Sequence, residues 1–293
     1  NSWSRVQKTR SRARDWTMIL IGTVNQIVLQ HLLKKLQDPK TSFDEKCGDF
    51  DKSAWHLQCQ EDSSSCKISL KLGGGAECLK QFGVAEHLKQ ILSNLTLLSK
   101  TEEGYDFTFE FVFDGAMPEI CNKVASLRKH VMSPPFIHAF TQFEEGTKFN
   151  PITLLVREEE SIEISATKDN VIVQYSMHFA NSDDLMNAKI LLQEFVDVKR
   201  HEKSVSAAPG FTWKLEENKT VVCEFVIFKT HTNQKVRERT IDNLLTFRTY
   251  VHYHLMCSKS YIHTRMRTRV EDSLKVLNRA KTHSTGQAAE LIK

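Results

Sequence analysis

Several common signposts of chemistry are missing from this chain of 293 residues. There is no G-x-S-x-G elbow, no H-E-x-x-H pair and no Walker lysine, so serine hydrolase, zincin and P-loop chemistries lack their motifs. Gly73-Gly74-Gly75 reads as a turn without dinucleotide-binding spacing. The seven cysteines, Cys47, Cys59, Cys66, Cys78, Cys121, Cys223 and Cys257, include no C-x-x-C pair. Their number is odd and their settings are apolar or strand-like, which argues for reduced core thiols and a cytosolic or nuclear compartment. Cys47, His56, Cys59 and Cys66 do not have the spacing of a zinc ribbon or finger, so no metal site is expected. An excess of one charge is also absent. The net charge of +4 demands neither nucleic acid nor an anionic membrane. No long apolar run exists either. The stretch after Met18 is broken by Asn25, Gln26, Gln30 and His31 and cannot span a bilayer.

What remains is 40% hydrophobic and 26% charged, an ordinary globular balance, and the length suggests two domains. Glycine and proline are themselves absent from 211–285. Inside that window, 240–281 reads as one helix. Thr240 is a candidate cap, and Asp242 suits the first turn. Ile241, Leu244, Leu245, Val251, Leu255, Ile262, Met266, Val270, Leu274 and Leu277 recur at helical spacing. A second row of Phe247, Tyr250, His254, Cys257 and Tyr261 flanks only the first half. A wide apolar face is buried on several sides, whereas a narrow stripe needs one neighbour. Residues 241–262 should therefore lie in a core, and 265–281 should project. A rod of about 40 residues, roughly 60 Å long, overhangs a domain roughly 40 Å across. From Lys259 to Lys281, seven cations face only Glu271 and Asp272, a local charge of plus five. His252 and His254 point roughly 200° apart on such a helix and cannot share a metal. His254 reads as a core histidine with a hydrogen-bond partner.

Earlier in the chain, residues 1–17 read as a basic disordered tail outside the folded unit, with a transit peptide or a nucleic-acid arm as alternatives. Met18 to Leu36 reads as a helix. Lys46 to Gln58 and Cys66 to Leu72 read as strands, and Ala85 to Leu98 as helix. Tyr105 to Phe113 is a strand with five aromatics on one side. Pro118 opens a helix that must stop before Pro134-Pro135, and Phe136, Phe140 and Phe143 begin another turn or two. Ile152 to Val156, Ser161 to Ala166 and Val171 to Phe179 form a meander. Glu158-Glu159-Glu160 is expected to be a solvated turn. A helix opens at Asp183-Asp184, 201–209 is linker-like, and Thr220 to Phe228 is a fourth strand. The fold class is α+β: two α/β-sandwich-like domains, 18–147 and 148–293, with antiparallel sheets, packed helices and a long C-terminal helix.

Thr246-Phe247-Arg248, His252-Tyr253-His254, Cys257-Ser258-Lys259, Tyr261 through Arg267 and Leu274 through Ala280 carry a specific resemblance. They are similar to the subunit 2 family of the actin-related protein 2/3 complex, which nucleates branched actin filaments. Gln193-Glu194-Phe195 and His231-Thr232-Asn233 extend the likeness, which runs from Met18 to about Ala280. The resemblance implies two domains of related topology and a non-enzymatic scaffold without a cofactor. It implies pairing with subunit 4 through long C-terminal helices, contact with the other subunits including the two actin-related proteins, and a grip on the side of the mother filament. Location would be cytoplasm, cytoskeleton and cell projections. Leu255, Ile262, Met266, Val270, Leu274 and Leu277 would pack on the sister helix. Arg265, Arg267, Arg269, Lys275 and Arg279 would meet a partner or acidic actin. A nucleic-acid module using Tyr253, Tyr261 and Met266 for stacking is the competing reading, and an enzyme of unrecognised type is a third. The weak net charge and the apolar stripe on the same helix count against the former, and no constellation supports the latter.

Overall fold

A computed structural model of the chain describes residues 22–49, 53–115, 117–157, 159–201 and 209–281, with side chains left aside at 198–201 and 279–281. The expected basic tail, Met18 to Ile21 and most of the linker after His201 lie outside the described residues.

The first helix starts later than its apolar periodicity suggests. Asn25 is its N-cap, with its side-chain oxygen accepting from the backbone N–H groups of Ile27 and Val28 at 3.1 and 3.2 Å. Helix α1 therefore runs Gln26–Gln37, and the residue read as breaking the apolar run in fact opens the helix. Strands β1 (Phe43–Gly48), β2 (Ala54–Cys59) and β3 (Ser65–Lys71) follow, where one long strand had been expected ahead of β3. Next come α2 (Ala76–Gln81), α3 (Val84–Ile91), β4 (Leu95–Leu97) and β5 (Phe107–Val112). The expected helix over 85–98 is thus the short α3, which follows the left-handed Gly83 and gives way to a strand. On β5, Phe107, Phe109 and Phe111 are buried, as their period of two requires. Helices α4 (Pro118–Ala125), α5 (Leu127–Met132) and α6 (Pro134–Glu145) close this half. The expected stop before Pro134-Pro135 occurs, and those prolines open α6.

The second half repeats the plan. Strands β6 (Ile152–Arg157), β7 (Glu160–Ala166) and β8 (Val171–His178) form the expected meander, with buried and partly exposed residues alternating. Helix α7 (Ser182–His201) buries Leu185, Ala188 and Leu192. Strand β9 (Gly210–Leu215), unforeseen, sits at the edge beside β10 (Thr220–Ile227). Helices α8 (Lys229–Thr232) and α9 (Arg237–Lys281) end the described chain.

Both sheets are antiparallel, ordered β1-β2-β3-β5-β4 and β6-β7-β8-β10-β9. In each, the fifth strand inserts between the third and an edge strand. The fold is α+β, as the strand and helix patterns imply. Buried residues of the two halves form one continuous core. Helix α6 is the bridge. It follows the first sheet in sequence but packs on β7, β8 and α9, burying Phe136, Phe140 and Phe143. Gly73, Gly74 and Gly75 press directly on β6. Cβ atoms there would meet the carbonyl oxygens of Val156 or Leu155 at 2.7–2.9 Å.

Gly75 carries both constraints, a φ of +73° and that close approach, whereas Gly104 has φ +84° with open space around it. Gly75→Ala should cost about 1–3 kcal/mol in urea unfolding, and Gly104→Ala about 1 kcal/mol. Equal losses at the two positions would mean that contact with β6 adds nothing.

Candidate functional site

The site is α9, and its first half explains why the second half can stand clear. The helix begins at Arg237, three residues before the expected start. Thr240 does not cap it. Its hydroxyl donates to the carbonyls of His231 and Val236, 2.9 and 3.1 Å away. The first-turn acid is Glu238. Glu238 and Asp242 both accept from Lys129 Nζ on α5, at 3.0 and 2.9 Å. Arg237 donates to Thr141 and Glu144 on α6, so the base of α9 is tied to both helices leading out of the first half.

Further along, Ile241, Leu244, Leu245, Phe247, Val251 and Leu255 are buried. Phe247 packs among Phe225, Tyr175, Phe211 and Phe195, with ring centroids 4.8–6.0 Å away. The Tyr175 hydroxyl donates to the Leu244 carbonyl at 2.7 Å, and complete burial pushes the phenol well above its usual pKa. Beside this cluster lies a buried ion pair. Arg248 Nε donates to Glu160 Oε2 at 2.6 Å, the guanidinium's second nitrogen also bonds that oxygen, and both residues are about 5% exposed or less. Arg157 lies 3.7 Å from the same carboxylate. Glu160 is therefore no solvated turn residue, contrary to the sequence expectation. The Glu158 side of that run lies outside the described residues. His254 is half-buried with its ring 4.1 Å from Tyr250, and its Nε2 meets no hydrogen-bond partner among the described residues, so the expected partner is missing.

Burial ends sooner than the apolar spacing suggests. Leu255 is 5% exposed, but Ile262 is 44% exposed, and every described side chain from Ser260 to Asn278 is solvent-facing. The expectation that the core reaches Ile262 is corrected. The flanking row stops with Tyr250 and His254, and Tyr261 is left uncovered among the described residues. Lys259 marks the boundary through an ion pair with Asp184 on α7. About 22 residues, roughly 33 Å of helix, overhang. Such a length forms readily because the buried half has already nucleated the helix. The hydroxyls of Thr264, Thr268 and Ser273 donate back to carbonyls four residues earlier, at 2.8–3.1 Å.

On this rod Ile262, Met266, Val270, Leu274 and Leu277 are 44–62% exposed. At roughly 100° per residue they span about a third of the circumference. Leu255 belongs to the same row by spacing but is sealed in the chain's own core and offers nothing outward. Arg265 and Arg269 border the stripe on one side and Arg267 on the other. Arg265 folds over the Tyr261 ring at 5.6 Å and donates to its hydroxyl at 3.1 Å. Lys275 reaches Asp272 at 3.4 Å. Arg279 lies in the helix, but its side chain is outside the described residues.

The family model described as Arp2/3 complex, 34 kD subunit p34-Arc matches residues 68–284, from β3 through the whole described overhang. The chain belongs to the p34-Arc family. A relative named actin-related protein 2/3 complex subunit 2 from Dictyostelium discoideum is 32% identical over 282 residues, covering 90% of this chain and 94% of the relative. Its namesake from Schizosaccharomyces pombe is 28% identical, covering 88% and 92%. Subunit 2A from Arabidopsis thaliana is 29% identical, covering 90% and 92%. Members of the p34-Arc family are structural subunits, not enzymes.

The polar clusters elsewhere have structural partners. His56, buried in β2, lies between Asp44 and Glu102, 2.7 and 2.6 Å from its two ring nitrogens. It stands on the sheet face opposite Cys59 and Cys66. Among the described residues no three histidine, cysteine or acidic side chains are grouped to hold a metal ion, and no helix is long and apolar enough to cross a membrane.

A cleft of about 640 Å³ separates α3, α5 and the start of α9, with His87, Lys129, His130 and Asp242 among its lining. Burial, reinforced by the Lys129 charge, pulls His130 down to about 4. Folded His130 therefore stays neutral where an unfolded histidine, ordinarily near 6.5, takes up a proton. Stability should fall as pH drops from about 6.5 toward 4, by on the order of 2 kcal/mol. Glu238, held low mainly by its hydrogen bond from Lys129, adds to that slope, and Asp242, raised by burial, opposes it. Urea unfolding across this range should show the loss, and His130→Gln should flatten it. An unchanged slope in that variant would assign the acid sensitivity elsewhere.

Proposed function

We propose that this chain is a non-enzymatic scaffold and actin-binding subunit of the Arp2/3 complex, pairing with subunit 4 along the overhang of α9 and contacting the side of the mother filament in branched nucleation. The observation that carries this reading is the uncovered stripe of Ile262, Met266, Val270, Leu274 and Leu277 on a helix whose other half is fully seated. A contiguous apolar surface of that kind on an isolated chain promotes association, so a permanent helical partner is the simplest cover for it. Arg265, Arg267 and Arg269 border the stripe, and Lys275 and Arg279 fall by helical spacing on the opposite face. A partner helix can bury the apolar row while the cations remain available to an acidic polymer. The relatives' names place them in the Arp2/3 complex, and the same assembly is proposed here, with the two actin-related proteins and the remaining subunits as further partners. A cytoplasmic site on the actin cytoskeleton, including cell projections, follows from that role. The division at 18–147 and 148–293 belongs to the same proposal, each half contributing one sheet of the same strand order.

Expressed alone, the chain should aggregate, and coexpression with subunit 4 should give a soluble heterodimer. Ile262→Asp with Met266→Asp should abolish copurification of subunit 4 while leaving the thermal unfolding of the body unchanged. Arg265→Glu with Arg267→Glu should keep subunit 4 but lower co-sedimentation with actin filaments about tenfold, with the wild-type affinity falling as salt rises. A chain that is monodisperse by itself, or a double aspartate variant that still pairs normally, would overturn the stripe as the pairing surface.

A further inference from the structure

The end of the β2–β3 pair places two cysteines face to face. The antiparallel register runs Ala54↔Lys71 through Gln58↔Lys67. The next step brings Cys59 opposite Cys66, both pointing into the core with Trp55, Leu57, Ile68 and Leu70. Residues directly opposite on antiparallel strands have Cα atoms about 4.5 or 5.5 Å apart, and both spacings lie within the span a disulfide bridges. In the reduced pair the Cys59 thiol donates to the Ser65 carbonyl at 3.4 Å and the Cys66 thiol to the Lys67 carbonyl at 3.9 Å. All seven cysteines are free thiols, so the pair is reduced.

We propose that Cys59 and Cys66 are a thiol redox site, closing to a reversible cross-strand disulfide under hydrogen peroxide.

The surroundings divide the roles. Interaction with the Cys66 thiol, together with the Lys35 ammonium, lowers Cys59 to about 7. The same interaction, with burial, raises Cys66 far above the usual thiol. Lys35 is itself buried and fixed by the carbonyls of Pro39, Thr41 and Gln60, so its charge cannot swing away. Cys59 is thus the attacking thiolate and Cys66 the resolving thiol. Cys59 is the more exposed of the two, 6% against 1%, and peroxide is little larger than water. The Cys59 thiolate attacks one peroxide oxygen, the O–O bond breaks, and the departing hydroxide takes a proton to become water. The Cys66 sulfur then attacks the resulting sulfenic sulfur. The S–S bond forms, the S–O bond breaks, and the oxygen leaves as a second water carrying the Cys66 proton. Two thiols are oxidised and one peroxide is reduced. A reducing thiol reverses the bond by exchange, as suits a compartment where disulfides are transient. The site is independent of α9 and of the function proposed for it.

The test treats the full native chain with a few-fold excess of hydrogen peroxide, then unfolds it in iodoacetamide and digests it with trypsin. Residues 53–67 form one tryptic peptide holding both cysteines. The expected product is this peptide two hydrogens lighter and unalkylated, appearing before exposed Cys257 loses its thiol. Cleavage after Glu61 should leave its halves joined until a reductant is added. The rate should rise about tenfold between pH 6 and 8, following the Cys59 thiolate. In Cys66→Ala, dimedone should trap a sulfenic acid at Cys59. If that variant does not fold, the wild-type peptide mass decides alone. Full alkylation of both cysteines at a peroxide dose that oxidises Cys257, or oxidation of Cys59 only to sulfinic acid, would overturn the proposal.

Discussion

The arrangement of this molecule depends on how firmly the first half of α9 is held. A helix that reaches roughly 33 Å into solvent is a lever, and any looseness at its base is magnified along its length. Two contacts of different kinds resist that. Phe247 is locked among four aromatic rings, where dense packing fixes the helix in depth and rotation. One residue on, Arg248 meets Glu160 on β7 in a buried, two-nitrogen contact that aromatic packing cannot supply, because it is directional. A buried ion pair adds little net stability over an apolar pair, yet removing one partner costs about 3–5 kcal/mol. Its value at this position is register. The helix cannot slide a turn along the sheet without stranding a charge.

The base is fixed from the other half as well. Lys129 on α5 and Thr141 and Glu144 on α6 bind Glu238, Asp242 and Arg237. Because α6 also packs on β7 and β8, the two repeats of the strand order share a helix rather than merely touching. The glycine turn at 73–75, pressed on the irregular end of β6, is a second joint between them. The direction of the overhang is consequently a property of both sheets together.

What the sequence disclosed followed from how local each feature is. The length of α9 was legible because no glycine or proline interrupts it and its apolar period persists. Its narrowing to a single stripe was legible too, because a row simply stops. Its starting residue was not, since Thr240 looks like a cap but spends its hydroxyl on carbonyls of the preceding turn. The edge strands β4 and β9 escaped notice because one is three residues long and the other fully buries none of its residues, so neither shows a clean alternation. Glu160 was misread for a different reason. In sequence it ends an acidic run, and its partner Arg248 lies 88 residues away, a distance no local pattern spans. Arg248 itself held the better clue, as a charge embedded in the buried stretch of a helix, where an opposite charge must be found.

The composition of the overhang sharpens what kind of cover suits it. Were the stripe meant for the chain's own sheets, arginines at its borders would be desolvated as the helix folded back. Were it meant for solvent, Ile262, Met266, Val270, Leu274 and Leu277 would have no reason to align. A stripe about a third of the circumference wide suits one helical neighbour, leaving Arg265, Arg267 and Arg269 at the rim, where charge costs least and steers most. Arg265 is already steadied by the Tyr261 ring and hydroxyl, so part of the entropy of ordering it has been spent before any partner arrives. The rod is therefore prepared on two counts, rigid at its root and partly ordered at its rim, which is what a surface needs if it is to join one neighbour permanently and still present charge to another.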